Sequence, residues 1–389
     1  MSPGPVTSAR CEPARRPYPV TAPGPEGPRE VHAVLPGGVA DPAAPSGGNV
    51  YDLRVCRELA ALGWRVHRHP LPGGWPRPDA AATARLARLL AELPDGAPVL
   101  LDGLLACGVP DVLRPAAARL RLAVLLHLPL ADETGLDPGT AAELDARERR
   151  ALHTVGAVIA TSDWAARRIR AHHGPGLPPV TVARPGADPA PPAPGTDGAG
   201  GLLCVASVTP RKGHRRLVDA LATVTDAPWT CTFVGGTDQD PECARQLRAR
   251  IRELGLTDRV RLAGPRTGAA LAACYAAADL VLLASYAETY GMVLTEALAR
   301  GIPVLATAVD GVPEAVGRAP DGRVPGLLVP PGEPAALAGA LRAWFDGPAL
   351  RRRLADAAAA RRAMLEGWET TSHSLAGALE RLRTAPRSP

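Results

Sequence analysis

Aromatic residues make up only 3% of the sequence, so its cores must be built mainly from Leu, Val and Ala, the composition of helices packed on an aliphatic parallel sheet. The seven cysteines (Cys11, Cys56, Cys107, Cys204, Cys231, Cys243 and Cys274) are odd in number and never fall in a C-x-x-C pair. That argues against a disulfide framework or a zinc site and makes a reducing, cytoplasmic setting the expectation. No run of about 18 apolar residues is present to span a bilayer, and no apolar stretch near Met1 resembles a secretion signal. A strong excess of one charge is missing too. The formal charge is +5, and Arg and Glu are interleaved, as in RARIRELGLTDRVR, which reads as a solvated helix face rather than a nucleic-acid patch. Nucleic acid is therefore not an expected partner, whereas anionic phosphate substrates and loose peripheral contact with a membrane surface remain compatible with this balance.

What is present is a long chain, 389 residues and 46% hydrophobic, enough for two compact domains. Residues 1–28 are rich in Pro, Gly and Arg without apolar periodicity and are predicted to be a disordered leader. A strand at Val31–Leu35, a loop with Ser46-Gly47-Gly48, a helix carrying Val50, Leu53, Val55, Cys56 and Leu59, a Gly63 cap and a strand near Trp64–His69 form one βαβ unit. Further strands are expected at Val99–Asp102, Leu122–His127 and Ala157–Thr161. The stretch RPGADPAPPAPGTDGAGG (184–201) is too poor in apolar residues to belong to a core and is read as the linker.

A second series follows at Leu202–Ala206, Cys231–Val234, Val260–Ala263, Leu280–Ala284, Val304–Ala306 and Gly326–Val329. The expected division is thus an N-terminal Rossmann-like domain (29–188), a linker (189–200), a C-terminal Rossmann-like domain (201–365) and a final helix with its tail (366–389) crossing back to the first domain. Strand C-terminal ends of both domains would face one cleft, where open α/β sheets bind ligands.

The most informative stretch is Ser285–Thr307, SYAETYGMVLTEALARGIPVLAT, which reads as loop, helix, glycine cap and buried strand. Glu288 falls in the loop and Glu296 about one turn inside a helix starting near Gly291. A helix N-terminus offers unpaired N–H groups and the positive end of a dipole, so the backbone of Gly291, Met292 and Val293 can hold a diphosphate. Glu296 can accept two hydrogen bonds from a ribose diol, and Glu288 can do the same for sugar hydroxyls. These two glutamates, with Tyr290-Gly291, Ala297-Leu298 and Gly301-Ile302-Pro303-Val304, resemble the donor-site signature of glycosyltransferase family four.

That resemblance implies a GT-B fold, two Rossmann-like doubly wound domains facing a central cleft, and metal-independent, retaining transfer of a hexose-like sugar. A nucleoside-diphosphate sugar would be the co-substrate, without a separate cofactor. VASVTPRKGHRRLVDAL (205–221) resembles the family's phosphate loop, with Lys212 at the clamping position and Arg211 beside it. The family usually carries an Arg after a Gly several residues earlier, where this chain has Ala206 and Ser207. Gly235 and Pro265, in Val234-Gly235-Gly236 and Leu262-Ala263-Gly264-Pro265, match strand ends that line the nucleotide pocket. Asp310-Gly311-Val312-Pro313-Glu314 resembles the next loop.

In the first domain, Gly47 and Gly48 resemble the family's glycine loop, and His127 matches a strand-end histidine placed against the donor sugar; Asp132, Glu133 and Thr161-Ser162 are further cleft candidates. The acceptor is expected to be a small molecule or a lipid. A metal-binding reading of Asp238-Gln239-Asp240 is set against an N-cap reading, because Pro241 and a helix follow. No G-x-G-x-x-G lies between a strand and a helix, which disfavours a dinucleotide oxidoreductase. A GT-B sugar-nucleotide epimerase, or a sugar-nucleotide-binding protein with weakened catalysis, stand as alternatives.

Overall fold

The computed structural model describes residues 29–43, 45–196 and 198–385, so the expected leader lies outside the described residues. Two six-stranded parallel sheets organise the chain. The first contains β1 (Glu30–Pro36), β2 (Arg65–Leu71), β3 (Pro98–Asp102), β4 (Arg121–Leu126), β5 (Ala157–Ala160) and β6 (Val180–Val182) in the order 2-1-3-4-5-6. The second contains β7 (Gly201–Val205), β8 (Thr230–Val234), β9 (Val260–Leu262), β10 (Leu280–Leu283), β11 (Val304–Thr307) and β12 (Gly326–Val329) in the order 12-11-10-7-8-9. Central strands such as β3, β5, β10 and β11 are buried along their whole length, as expected for strands covered by helices on both faces. Edge strand β2 instead exposes Arg65, Arg68 and Pro70, polar and Pro positions that discourage edge pairing.

These strand orders decide where ligands can sit. Each sheet reverses its winding at one point, between β1 and β3 in the first and between β7 and β10 in the second. At such a point neighbouring loops leave in opposite directions and open a crevice. The loops after β7 and β10 carry Lys212 and Glu288 respectively.

Two elements depart from expectation. The stretch 184–201 is not a solvated linker throughout: Pro185, Gly186, Ala187 and Ala190 are buried. Gly186 is the reason, because a Cβ there would lie 2.3 Å from the Trp368 backbone nitrogen, so the absence of a side chain lets two chain segments cross in contact. Small residues, not large apolar ones, bury this segment. One helix ends at Arg362, and the final helix, expected within 366–389, is a separate one running from Trp368 to Thr384. Trp368, Leu375, Leu379 and Leu382 of the latter pack with Tyr51, Leu100, Leu125 and Ile159 of the first domain, and the Arg121 guanidinium donates to the carbonyls of Leu382 and Ala385 at 2.7 Å. Strand β6 was not foreseen; its three residues, Val-Thr-Val, are too few to show a period.

Candidate active site

The second sheet brings the predicted donor residues together around its switch point. After β7 the chain turns through Pro210–Lys212 to Gly213, whose φ is +66° and whose missing side chain leaves room for the Ala284 carbonyl, 2.1 Å from where a Cβ would stand. This close approach locks the loop after β7 against the loop after β10, and the Tyr286 N–H donates to the Arg211 carbonyl at 2.8 Å. The Lys212 ammonium is thereby held against the Glu288 carboxylate in a tight ion pair. Ser285 Oγ also donates to Glu288, at 3.3 Å. Burial alone would raise the pKa of Glu288, but the charges of Lys212 and Arg211, with the hydrogen bonds from Lys212 and Ser285, hold it below its ordinary value.

Lys212 and Glu288, expected to have separate tasks, are in direct contact. An anion entering this loop can take the ammonium from Glu288 and leave its carboxylate to accept from hydroxyl groups. Arg211 is also engaged: its Nη1 donates to the Ala287 carbonyl at 3.2 Å, and its Nε reaches across to Glu133 of the first domain, also at 3.2 Å.

Gly291 adopts φ +95° just before the short helix Met292–Leu298, which no side chain caps. The Leu294 N–H donates to the Gly291 carbonyl at 2.9 Å, which leaves the N–H groups of Met292 and Val293 for solvent or a ligand. Inside that helix Glu296 accepts a 2.7 Å hydrogen bond from Tyr275 Oη, and Tyr275 itself is fully buried beneath the Arg300 guanidinium. Burial raises the pKa of Glu296, against the opposing effects of Tyr275 and Arg300.

Gly235 closes the wall after β8. A Cβ there would fall 1.9 Å from the Ala206 carbonyl, so only glycine admits the neighbouring loop. Pro265 lies half-buried after β9. The Tyr290 ring is placed elsewhere, lining a cavity of about 280 Å³ at the crossover between domains with Arg184, Glu314 and Arg361.

The first domain meets this loop set from the opposite side. Gly47 and Gly48 are not a loop before the helix but its first two residues, capped by Ser46, which accepts from the Asn49 N–H at 3.1 Å. A Cβ on Gly47 would stand 3.8 Å from Met292 of the second domain, and one on Gly48 3.4 Å from the His127 ring. His127 follows β4, and its Nε2 lies 2.7 Å from Asp52 Oδ1 and 3.6 Å from Asp102 Oδ2. Burial opposes its protonation, but Asp52, by charge and hydrogen bond, and Asp102, by charge, push its pKa up to about 9. The ring is thus an imidazolium at neutral pH. Asp102 is itself raised by burial and by Asp52, against the lowering effect of His127.

A second bridge spans the domains below the cleft. The Glu314 carboxylate accepts from the N–H groups of Asp163 (3.0 Å) and Trp164 (3.1 Å) and from Arg184 Nε (2.7 Å). It sits at the positive end of the helix Asp163–His173, whose N-cap is Ser162. Asp132 pairs with Arg168 at 2.9 Å. Asp240 accepts from the Cys243 N–H at 2.8 Å, as an N-cap does.

Asp52, Asp102 and Tyr275 were not singled out from the sequence as site residues, and Glu314 was named only as the end of the loop that starts at Asp310. For Asp52 a signal existed: it lies four residues after Gly48, one helical turn along the same face. Tyr275 and Asp102 reach their partners only through tertiary packing, which no local pattern displays.

Residues 197–361 match the family described as Glycosyl transferases group 1. A D-inositol 3-phosphate glycosyltransferase of Jonesia denitrificans is 33% identical over 273 residues, in a match covering 64% of this chain and 63% of that protein. The chain therefore spans just under two thirds of that relative's length. Sucrose-phosphate synthase from Thermosynechococcus elongatus shares the fold at TM-score 0.73 and 24% identity, over 92% of this chain and 100% of that one. HepE of Anabaena, solved in complex with UDP and glucose, shares it at TM-score 0.71 and 20% identity, over 90% and 99%. Residues 197–361 thus carry the match to the glycosyl transferases group 1 family, and the chain as a whole has the GT-B fold of two facing parallel-sheet domains.

Proposed function

We propose that the protein is a retaining glycosyltransferase that moves a sugar from a nucleoside-diphosphate sugar to a hydroxyl-bearing acceptor without a metal ion. The observation that carries this reading is the Lys212–Glu288 ion pair at the switch point of the second sheet, beside the uncapped helix that starts after Gly291. A diphosphate would lie against Lys212 and the N–H groups of Met292 and Val293, with Arg211 released from Glu133 to assist. The ribose diol would donate to Glu296, whose orientation Tyr275 fixes. Gly235 and Pro265 would border the base, and Gly47 and Gly48 leave the phosphate face open to the first domain. Tyr290 contributes its backbone to the Gly291 turn.

In the reaction the acceptor oxygen forms a bond to the anomeric carbon as the bond to the departing β-phosphate breaks. The electron pair of that bond goes to the diphosphate, and the acceptor proton passes to the departing phosphate. Lys212 and the helix N-terminus stabilise the charge where it develops, and Glu288 positions the sugar hydroxyls. His127, kept cationic by Asp52, faces the same space from the first domain and can donate to a sugar hydroxyl.

HepE was solved with UDP and glucose, and the Jonesia relative is named for D-inositol 3-phosphate. UDP-glucose and inositol phosphate therefore lead the donor and acceptor panels, alongside lipid acceptors. The test is release of nucleoside diphosphate with each acceptor, and NMR of the anomeric proton in the product. Release that no acceptor stimulates would favour the second reading, a binding protein with weakened catalysis, which Ser207 in place of the family's Arg supports.

A further inference from the structure

Among the described residues two groups of three side chains offer ligand atoms close enough to share one ion. One is Asp52, Asp102 and His127, in the cleft already described, where His127 Nε2 is engaged by Asp52 at 2.7 Å. The other lies on the first domain between the helices Pro138–Leu152 and Asp163–His173. There one atom each from Asp145, His172 and His173 falls within 4.8 Å of the other two.

His173 shows what this group is suited to. It is buried to 1% side-chain exposure, and its Nε2 lies 2.8 Å from Oε1 of the equally buried Glu148. The other Glu148 oxygen accepts from the Leu130 N–H at 2.8 Å. A carboxylate in this position only accepts, so Nε2 carries the hydrogen. The opposite nitrogen, Nδ1, is buried and has no hydrogen-bond partner. An orphaned polar atom in such a site costs stability unless something satisfies it.

A histidine that gives one ring N–H to a buried carboxylate and keeps the other nitrogen free has the arrangement of a metal ligand oriented by its outer shell. Beside it, the His172 ring stands at 71° to that of His173 with centroids 4.8 Å apart, and His172 Nε2 is in contact with Asp145. Both histidines occupy the last turn of a helix, whose C-terminal end carries partial negative charge and favours a cation. The neighbouring cations are committed elsewhere: Arg149 donates to the carbonyls of His172 and His173, and Arg168 to Asp132.

We propose that Asp145, His172 and His173 form a binding site for a divalent cation of the zinc class, with Glu148 as the positioning carboxylate behind His173. Two imidazoles and one carboxylate are a fitting donor set for zinc, and a fourth position is left for water. The partial exposure of Asp145 (26%) and His172 (33%) gives the ion a way in. The site ties the C-terminal end of one helix to the middle of another, so its role is structural, and it takes no part in sugar transfer.

The full chain, stripped with a chelator, is titrated with zinc chloride against a chromophoric competitor, and bound zinc is counted by elemental mass spectrometry. One equivalent per chain is expected. Asp145→Asn and His172→Gln, at partly exposed positions, should each weaken binding by at least about tenfold, and Glu148→Gln, which keeps all three ligands, by about 10- to 100-fold. Zinc should raise the melting temperature of the wild type but not of His172→Gln. Absence of stoichiometric uptake would mean that water satisfies His173 and would overturn the proposal. So would uptake unchanged in both Asp145→Asn and His172→Gln, which would place the ion elsewhere, for example at the stacked His32, His67 and His69.

Discussion

Tyr275 Oη donates a 2.7 Å hydrogen bond to Oε2 of Glu296, so one oxygen of this carboxylate is fixed from beneath and the other is left for a ligand. The same phenol is buried and covered by Arg300, with the guanidinium 4.5 Å from the ring centre. Among the described residues no other side chain orients Glu296 so directly. Tyr275→Phe should therefore raise KM for the sugar nucleotide by roughly tenfold, the cost of about one hydrogen bond to a charged group, while changing kcat little. Steady-state kinetics with saturating acceptor separates the two; an unchanged KM would remove Tyr275 from donor binding.

His127 gives a prediction in pH. Its folded pKa of about 9 lies above the ordinary value of 6.5, so the stabilisation from its pairing with Asp52 is fully present below pH 6.5 and is lost as the pH rises through about 9. If transfer needs the imidazolium, activity should fall over the same alkaline range. Asp52→Asn removes the first-named charge and should move that limb down by about 1–3 pH units. A pH–rate profile identical to the wild type would show that the Asp52 pairing does not govern the reaction.

Glu314 predicts a mechanical effect. Its carboxylate joins the two domains through two backbone N–H groups and Arg184, so Glu314→Ala should cost about 1–3 kcal/mol, given that hydrogen bonds to a charged group are lost and the partly exposed Arg184 contact counts for little. Chemical denaturation measures the loss, and small-angle scattering should show a broader spread of domain separations. Equal stability and an unchanged scattering profile would mean that the bridge does not hold the domains.

Much of this organisation was legible in the sequence because parallel β/α units announce themselves locally. Short apolar runs marked most of the strands, and a layout of two doubly wound domains followed; the GT-B type came from the resemblance of the stretch around Glu288 and Glu296. The spacing of Glu288 and Glu296 around Gly291 placed both near one helix start. Contacts that depend on packing across the chain were not legible. The pairing of Lys212 with Glu288 joins residues 76 apart, and Asp52 reaches His127 across 75. The segment 184–201 was misread because alanine and glycine can be buried by close backbone approach, which a scale based on large apolar side chains does not register.

The central claim is that a nucleoside-diphosphate sugar binds at Lys212, Glu288 and Glu296, and calorimetric titration of the purified chain with UDP-, GDP- and ADP-sugars tests it most directly. One nucleotide class should bind with a stoichiometry of one, Lys212→Ala should weaken it through the diphosphate, and Glu296→Ala should abolish measurable binding. Binding of that nucleotide sugar with the same affinity in both variants would contradict the account.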